Sequence, residues 1–290
     1  MLGFVNVLKS AGLTSAQTVG RVRRIYTLYA RDRTLAVGHL GTLDPQAAGV
    51  LPIALGKATR LIPLLSDHRK SYVCTLVLGR STTTADATGQ TLQASAVPAN
   101  WLARLQEVLP RFIGSIEQLP PMFSAVHHNG KRLYDLAREG KTVERKKRRT
   151  TIYALTLLGV EEVAARVRIA CSEGTYVRTL CEDVGKAIGL PAHMGALLRE
   201  ASGPFVLYES LTLEQISHDP CSAIVAPENV IPFPTIVLDL RASADFRAGR
   251  MVPLPGGAPA RHVFVRDMSR TLVGVGESLG TLLAPRKVFV

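Results

Sequence analysis

The sequence predicts an α+β fold, and three observations carry that reading. Strand-like and helix-like segments are interleaved without the regular strand–helix–strand cadence of a parallel sheet. No glycine-rich dinucleotide fingerprint joins a strand to a helix. After about residue 225 the texture changes to prolines and short apolar runs. The expected architecture is a mainly antiparallel mixed sheet flanked by helices over 1–228, followed by a small β-rich domain over 229–290.

Taken in order, Gly3 to Leu8 is a short apolar strand. Thr14-Ser15-Ala16-Gln17 offers a helix cap, and Val19, Val22 and Ile25 then recur at helical spacing. Gly38 to Pro45 is turn-rich, and Gly49 and Pro52 follow. Tyr72 to Gly79 reads as a strand and residues 101–113 as a helix. Thr151 to Leu157 and Ala165 to Cys171 read as strands, and Val177 to Ile188 as a helix. Pro227, Pro232 and Pro234 mark a join. Beyond it, His262–Arg266 and Leu272–Gly276 flank a polar turn as a hairpin, and Lys287–Val290 is a last strand.

Composition narrows the function classes. The chain has 290 residues, 47% of them hydrophobic, with 35 Lys and Arg against 23 Asp and Glu, a formal charge of +12. That composition suits a folded protein with a real core and excludes disorder or a collagen-like chain. The longest apolar stretches, such as Val50 to Leu55, are too short to span a membrane. The start shows no basic region followed by an apolar one, so no secretory signal is expected. Cys74, Cys171, Cys181 and Cys221 are scattered, with no C-x-x-C pair and no metal spacing with histidine. Reduced thiols in a cytoplasmic protein are expected, without a metal or other cofactor. The Gly49–Thr59 and Gly274–Gly280 stretches fail the spacing of phosphate and dinucleotide loops.

The positive charge is clustered. Arg21, Arg23, Arg24, Arg31 and Arg33 lie near the N-terminus, and a second group ends in Arg145-Lys146-Lys147-Arg148-Arg149. One such run alone is most simply a solvated face. Two, with the global excess, point to a polyanion such as nucleic acid.

Gly38 to Leu55 is the most informative segment. Its glycines and prolines impose an unusual backbone path around one carboxylate, Asp44, and one imidazole, His39. On local grounds Asp44-Pro45 is an N-cap and first-turn pair opening a helix, and His39 is a turn residue. Yet Gly38-His39-Leu40-Gly41-Thr42-Leu43-Asp44-Pro45-Gln46-Ala47-Ala48-Gly49-Val50-Leu51-Pro52 resembles the signature loop of TruB-type tRNA pseudouridine synthases. An ordered series extends the likeness over roughly the first 205 residues. It includes Lys9 with Gly12, Thr14 and Ser15; Lys70-Ser71-Tyr72; Thr84-Ala85-Asp86 with Gly89; and Pro120 to Ala125. It continues through Gly130 to Tyr134, Ala137 to Gly140, Gly174 to Thr179, and Ala192-His193 on to Phe205. The tail, with Gly274 to Glu277 and Pro285 to Phe289, is similar to the family's PUA-like RNA-binding domain.

The resemblance implies an isomerase that converts uridine 55 in the tRNA T loop to pseudouridine. The N1–C1′ bond breaks, the uracil turns, and C5 joins C1′, with no electrons or phosphates consumed. The family's catalytic aspartate falls on Asp44, leaving open whether it attacks the nucleotide or takes a ribose proton. Arg178 matches the arginine that pairs with it, and Tyr72 the tyrosine that stacks on the uracil and serves at C5. Tyr176 and Leu197 match pocket-lining residues. Without the resemblance, Arg178 is a solvated arginine at a helix start, Tyr72 a half-buried strand residue, and Leu197 plain helix core. His39 matches the histidine that fills the stack when the base is flipped out. Lys9, Lys131 and the 145–149 run are expected on the RNA backbone. Leu40, Ser10, Phe123 and Leu198 depart from the family pattern and leave Asp44, Tyr72 and Arg178 intact.

The expected partner is the T stem-loop of tRNA, bound without a guide RNA by a monomer. Two other readings compete: a non-catalytic RNA-binding or tRNA-folding protein on the same scaffold, and a carboxylate-dependent nucleoside or glycoside hydrolase using Asp44 and Asp86. Neutralising the 145–149 run is expected to weaken RNA binding and flatten its salt dependence. An unchanged slope in a salt titration would make the run a solvated face.

Overall fold

The computed structural model describes the chain except Ala125, Val126, Asn129, Thr142, Pro255 and Val290, and except the side chains of His127, His128, Lys131, Arg132 and Arg138. The first half contributes strands β1 (Leu2–Lys9), β2 (Val37–His39), β3 (Ala48–Gly56), β4 (Lys70–Leu78), β5 (Arg80–Thr82), β6 (Thr91–Ala94) and β7 (Gly114–Gln118). Then follow β8 (His127–His128), β9 (Lys131–Arg132), β10 (Arg148–Glu161), β11 (Ala164–Cys171), β12 (Ala192–Ser202) and β13 (Phe205–Val206). The tail supplies β14 (Thr235–Val237), β15 (Val252–Pro253), β16 (His262–Arg266), β17 (Leu272–Leu279) and β18 (Leu282–Val288). The α-helices are α1 (Ser15–Ala30), α2 (Trp101–Val108), α3 (Leu133–Arg138), α4 (Val177–Ala187), α5 (Leu213–His218) and α6 (Leu240–Arg247).

The large sheet has the order β1-β3-β12-β4-β11-β10-β7, with β2 on β3 and β13 on β12. Its pairs are antiparallel except one: β12 runs parallel to β3 across Leu198↔Ala48 and Arg199↔Gly49. That parallel join positions the site, because it sets the loop before β3 beside the middle of β12. The tail forms a separate five-stranded sheet, β14-β16-β17-β18-β15.

Local chemistry explains most elements. Thr14 caps α1 in a capping box with Gln17, and Ser15, Thr18, Val19, Val22 and Tyr26 recur on its buried face. The helical reading of 101–113 shortens to α2 plus a 3-10 turn over Leu109–Phe112, since Pro110 has no amide to carry the α ladder on. Two expectations fail. No helix follows Asp44-Pro45; Ala47 N–H closes a single turn on the Asp44 carbonyl, and β3 begins at Ala48. Val50 to Leu55 are consecutively buried, so a strand covered on both faces suits them better than a helix stripe. Leu197 likewise lies on β12 rather than in a helix, with its neighbours paired to β4 across bulges.

One core, including Val5, Val7, Leu51, Ile53, Leu105 and Ile216, all fully buried, fills the space between the large sheet and its helices. Each such side chain contributes about 1.5–3 kcal/mol of burial. A second cluster joins Phe4, Val50 and Ala54 of the large sheet's outer face, and Leu61 of the 3-10 helix Lys57–Leu64, to Ile231, Phe264, Val275 and Phe289 of the tail. Phe246 of α6 seals the tail sheet against Val263, Val265, Val273 and Leu283.

Gly49 makes the parallel join possible: its φ is +112°, and a Cβ there would lie 2.3 Å from the Arg199 carbonyl oxygen. Gly49→Ala is therefore expected to cost about 2 kcal/mol or more in urea unfolding. Gly20→Ala, on the open face of α1, should instead be neutral or stabilising by up to about 1 kcal/mol.

Candidate active site

The Leu40–Ala47 loop between β2 and β3 is held from behind by two buried cations. Arg199, 1% exposed, donates from Nε to the Val50 carbonyl at 2.7 Å, from Nη1 to Thr42 at 3.1 Å and from Nη2 to Gly41 at 3.2 Å. Lys9, equally buried, donates from Nζ to the carbonyls of Leu13 at 2.7 Å, Ser10 at 2.9 Å and Pro45 at 3.2 Å. Ser15, at the start of α1, both donates to the Leu43 carbonyl and accepts from its amide, each at 2.9 Å. A loop whose carbonyls turn inward onto fixed cations has little freedom left.

The facing wall is the start of α4. Gln118 at the end of β7 grips Tyr176 through both backbone groups, at 2.9 and 3.1 Å. Two residues on, Arg178 donates from Nη2 to the Phe123 carbonyl at 2.8 Å and from Nη1 to the Thr84 carbonyl at 3.4 Å. Its Nε meets Asp44 Oδ2 at 2.9 Å, with the arginine side chain 6% exposed and the aspartate 35%. The arginine is thus the sequestered partner and the carboxylate the one open to the cleft. A fixed guanidinium at this distance sets the direction of the carboxylate.

Between the walls lies a cleft of about 260 Å³, floored by Tyr72, Met194 and Leu197 and lined by Asp44, Lys70, Tyr176 and Arg178 among others. Strand parity puts Lys70 and Tyr72 on the same face of β4, opposite Ser202 and Arg199 of β12. Burial pushes the Tyr72 hydroxyl above the usual phenol range, partly offset by the Arg199 charge, and burial likewise raises Tyr176. At neutral pH both are phenols. Burial lowers the Lys70 ammonium to about 8, and its Nζ donates to Ser202 Oγ at 2.7 Å. Lys9 is also lowered to about 8 by burial, against the pull of Asp44.

Of the residues singled out in the sequence, the structure brings Asp44, Tyr72, Arg178, Tyr176 and Leu197 onto one cleft. Arg178 is not the solvated arginine its position alone suggests. His39 stands at the end of β2, half-buried, its Nδ1 accepting from the Gly41 amide at 3.2 Å. Lys9 is not available to RNA: its ammonium is committed to three carbonyls beneath the loop. Lys131 lies in β9, and its side chain is outside the described residues. Within the basic run, Arg145 is turned inward onto the Pro120 carbonyl at 2.8 Å, while Lys146, Lys147, Arg148 and Arg149 are exposed. Arg199, Lys70 and Gln118 were not among the expected site residues. The signal was parity: Arg199 is two residues from Leu197, and Lys70 two from Tyr72, so each shares the inward face. Among the described residues no group of three His, Cys, Asp or Glu side chains is placed to hold a metal ion, and no helix is long and apolar enough to cross a membrane.

Comparison with known proteins gives a consistent picture. The model of the TruB family pseudouridylate synthase N-terminal domain matches residues 27–177, and that of the tRNA pseudouridylate synthase B C-terminal domain matches 178–223. The chain is 47% identical over 221 residues to the tRNA pseudouridine synthase B of Oceanobacillus iheyensis, covering 74% of this chain and 70% of that one. It is 40% identical to the protein of the same name from Heliobacterium modesticaldum, over 99% of this chain and 95% of that one. Among solved structures, a chain of a Cbf5-Nop10-Gar1 complex superposes with a TM-score of 0.69 at 27% identity, over 99% of this chain and 85% of that one.

Lys70 leaves a mark on pH dependence. Its ammonium ordinarily titrates at 10.5 and here at about 8, so between those values the unfolded chain holds the extra proton and stability rises with pH. The melting temperature of the wild type relative to Lys70→Met is expected to climb from pH 8 to 10.5. A difference that stays flat across that window would mean Lys70 titrates normally in the fold.

Proposed function

The chain belongs to the TruB family of pseudouridylate synthases, and from that premise we propose that it isomerises uridine 55 in the T loop of tRNA to pseudouridine. What supports this above all is the pairing of a cleft-facing Asp44 with a buried Arg178 over an apolar floor sized for a base. A pure RNA-binding protein gains nothing from such a pair, and burying a guanidinium costs several kcal/mol unless its partners compensate.

In this reading the uridine is flipped out of the loop, and its uracil enters the slot between Tyr72, Leu197 and Tyr176. His39, just outside the slot, takes the place of the base in the stack. Asp44 meets the sugar, either attacking C1′ as nucleophile or taking a ribose proton as base, and the N1–C1′ bond breaks. The uracil then turns within an apolar slot that holds it without fixing its edge, C5 bonds to C1′, and the C5 proton leaves to solvent while N1 takes one up. Tyr72 is a phenol before the reaction, so it first serves as stacking surface and hydrogen-bond donor. The positive charge of Arg199 beside it favours any step in which that phenol gives up its proton.

The substrate arrives as a polyanion, and the exposed part of the 145–149 run supplies backbone contacts. We assign the tail sheet, 229–290 with its join, to a PUA-like RNA-binding role. The relatives named tRNA pseudouridine synthase B are more similar in sequence than the chain of the Cbf5 complex, 40% against 27% identity at full coverage. That difference favours a cytoplasmic enzyme acting alone, as a monomer, without a guide RNA.

The test is tritium release from tRNA carrying 5-tritiated uridine. One equivalent per tRNA, mapped to the T loop, is expected from the wild type. Asp44→Asn should release none while binding tRNA with nearly unchanged affinity. Wild-type turnover by that variant would take Asp44 out of the mechanism.

A further inference from the structure

A second cavity, of about 450 Å³, adjoins the catalytic cleft and shares Glu173 with it. It is lined by Ser66, Asp67, His68, Arg69, Tyr153, Ser172 and Glu173. We infer that this cavity binds a second RNA base, that of a nucleotide flanking the target uridine on the same strand. The inference rests on the proposed reaction for its ligand, but its chemistry comes from the cavity itself.

The walls are built rather than incidental. Gly203 N–H donates to the Arg69 carbonyl at 2.8 Å. A Cβ on Gly203, whose φ is +57°, would meet the Asp67 carbonyl at 2.5 Å, so the 66–69 segment is pressed against that turn. On the other side Ser172 Oγ accepts from the Thr151 amide at 3.0 Å and bonds Thr150 Oγ1 at 2.9 Å, fixing the start of β10 where Tyr153 stands. Tyr153 is half-exposed at 50% although it lies on a strand of the main sheet. An aromatic ring open to solvent in a rigid, concave setting is a stacking surface.

Charge decides between a base and a phosphate. Arg69 is committed to Asp67 through Nε at 3.0 Å and Nη2 at 2.8 Å, and this pairing holds the Asp67 carboxyl down to about 2. His68 Nδ1 lies 3.5 Å from Glu173 Oε2. The one guanidinium in the lining, Arg69, is matched by the Asp67 carboxylate, and Glu173 adds a second carboxylate, so no free positive charge is offered to a phosphate. What remains is a ring, a guanidinium plane neutralised in place, and polar edges on His68, Glu173 and Ser66. Those are the parts that receive an unstacked base: faces to stack on and acceptors or donors for its edge. Flipping one nucleotide exposes the stacking faces of its neighbours, and a shelf one residue from the cleft recovers part of that loss.

The experiment uses the full-length protein and a T stem-loop RNA with 2-aminopurine placed in turn on each side of the target uridine. Wild type is expected to quench the fluorophore at one of the two positions. Tyr153→Ala should abolish that quench and weaken Kd roughly 5- to 150-fold, the range of one base–aromatic stack. Tyr153→Phe should keep both. Because Tyr153 is exposed, the alanine variant should melt like the wild type, which separates lost stacking from lost fold. An alanine variant with wild-type Kd, or no quench at either position, would overturn the inference even if tritium release is normal. A Tyr153-dependent quench without tritium release would instead sink the reaction and leave the base-binding shelf standing.

Discussion

A guanidinium withdrawn from water must be met by acceptors, and two such groups, Arg178 and Arg199, organise everything around the cleft. Arg199 needs carbonyls and finds them in Gly41, Thr42 and Val50. That requirement bends the Leu40–Ala47 loop over β12. Arg178 needs a carboxylate and two more carbonyls, and collects Asp44, Phe123 and Thr84 from three separate segments. Remove these demands and the loop, the turn at Thr84 and the Pro120–Ser124 segment have little reason to converge. A buried cation left without partners is far costlier than one that has them, so the convergence is enforced rather than merely favoured.

This arrangement divides labour between charge and shape. The charged side of the cleft is rigid, because each donor is already aimed at a fixed acceptor before any substrate enters. The apolar side, Tyr72, Met194 and Leu197, offers surface without direction. An isomerase that must release a ring and take it back in a new orientation needs this combination. In the proposed reaction the charged side takes the sugar and the apolar side takes the base.

Much of the fold was legible in the sequence, and the reasons are local. The Thr14–Gln17 capping box and the spacing of Val19 and Val22 marked α1, and alternation around Tyr72 and Cys74 marked β4. Asp44-Pro45 misled because its local chemistry is that of a helix start. The strand after it is imposed by pairing with β1, some forty residues away in the chain, which no local rule contains. Leu197 misled for a similar reason, since an apolar stretch such as Met194 to Leu198 fits a helix or a buried strand equally well. At the site, Asp44 and Arg178 were legible only through resemblance; nothing in the spacing of residues 44 and 178 says that they meet. Lys9 shows the opposite failure. The family resemblance puts this lysine on the RNA backbone, whereas its neighbours' carbonyls claim it. Charge in a sequence does not reveal which way a side chain turns.

The apolar cluster that runs from Phe4 and Val50 through Ile231 to Phe264 and Phe289 has a mechanical consequence. Val50 lies three residues beyond the active-site loop, and Phe264 and Val275 belong to the tail sheet, yet all sit in one close-packed body that resists deformation. The two sheets are therefore the arms of a calliper welded at the hinge. Any ligand long enough to touch both arms is gauged against a fixed gap, and one whose dimensions do not match must yield or be refused.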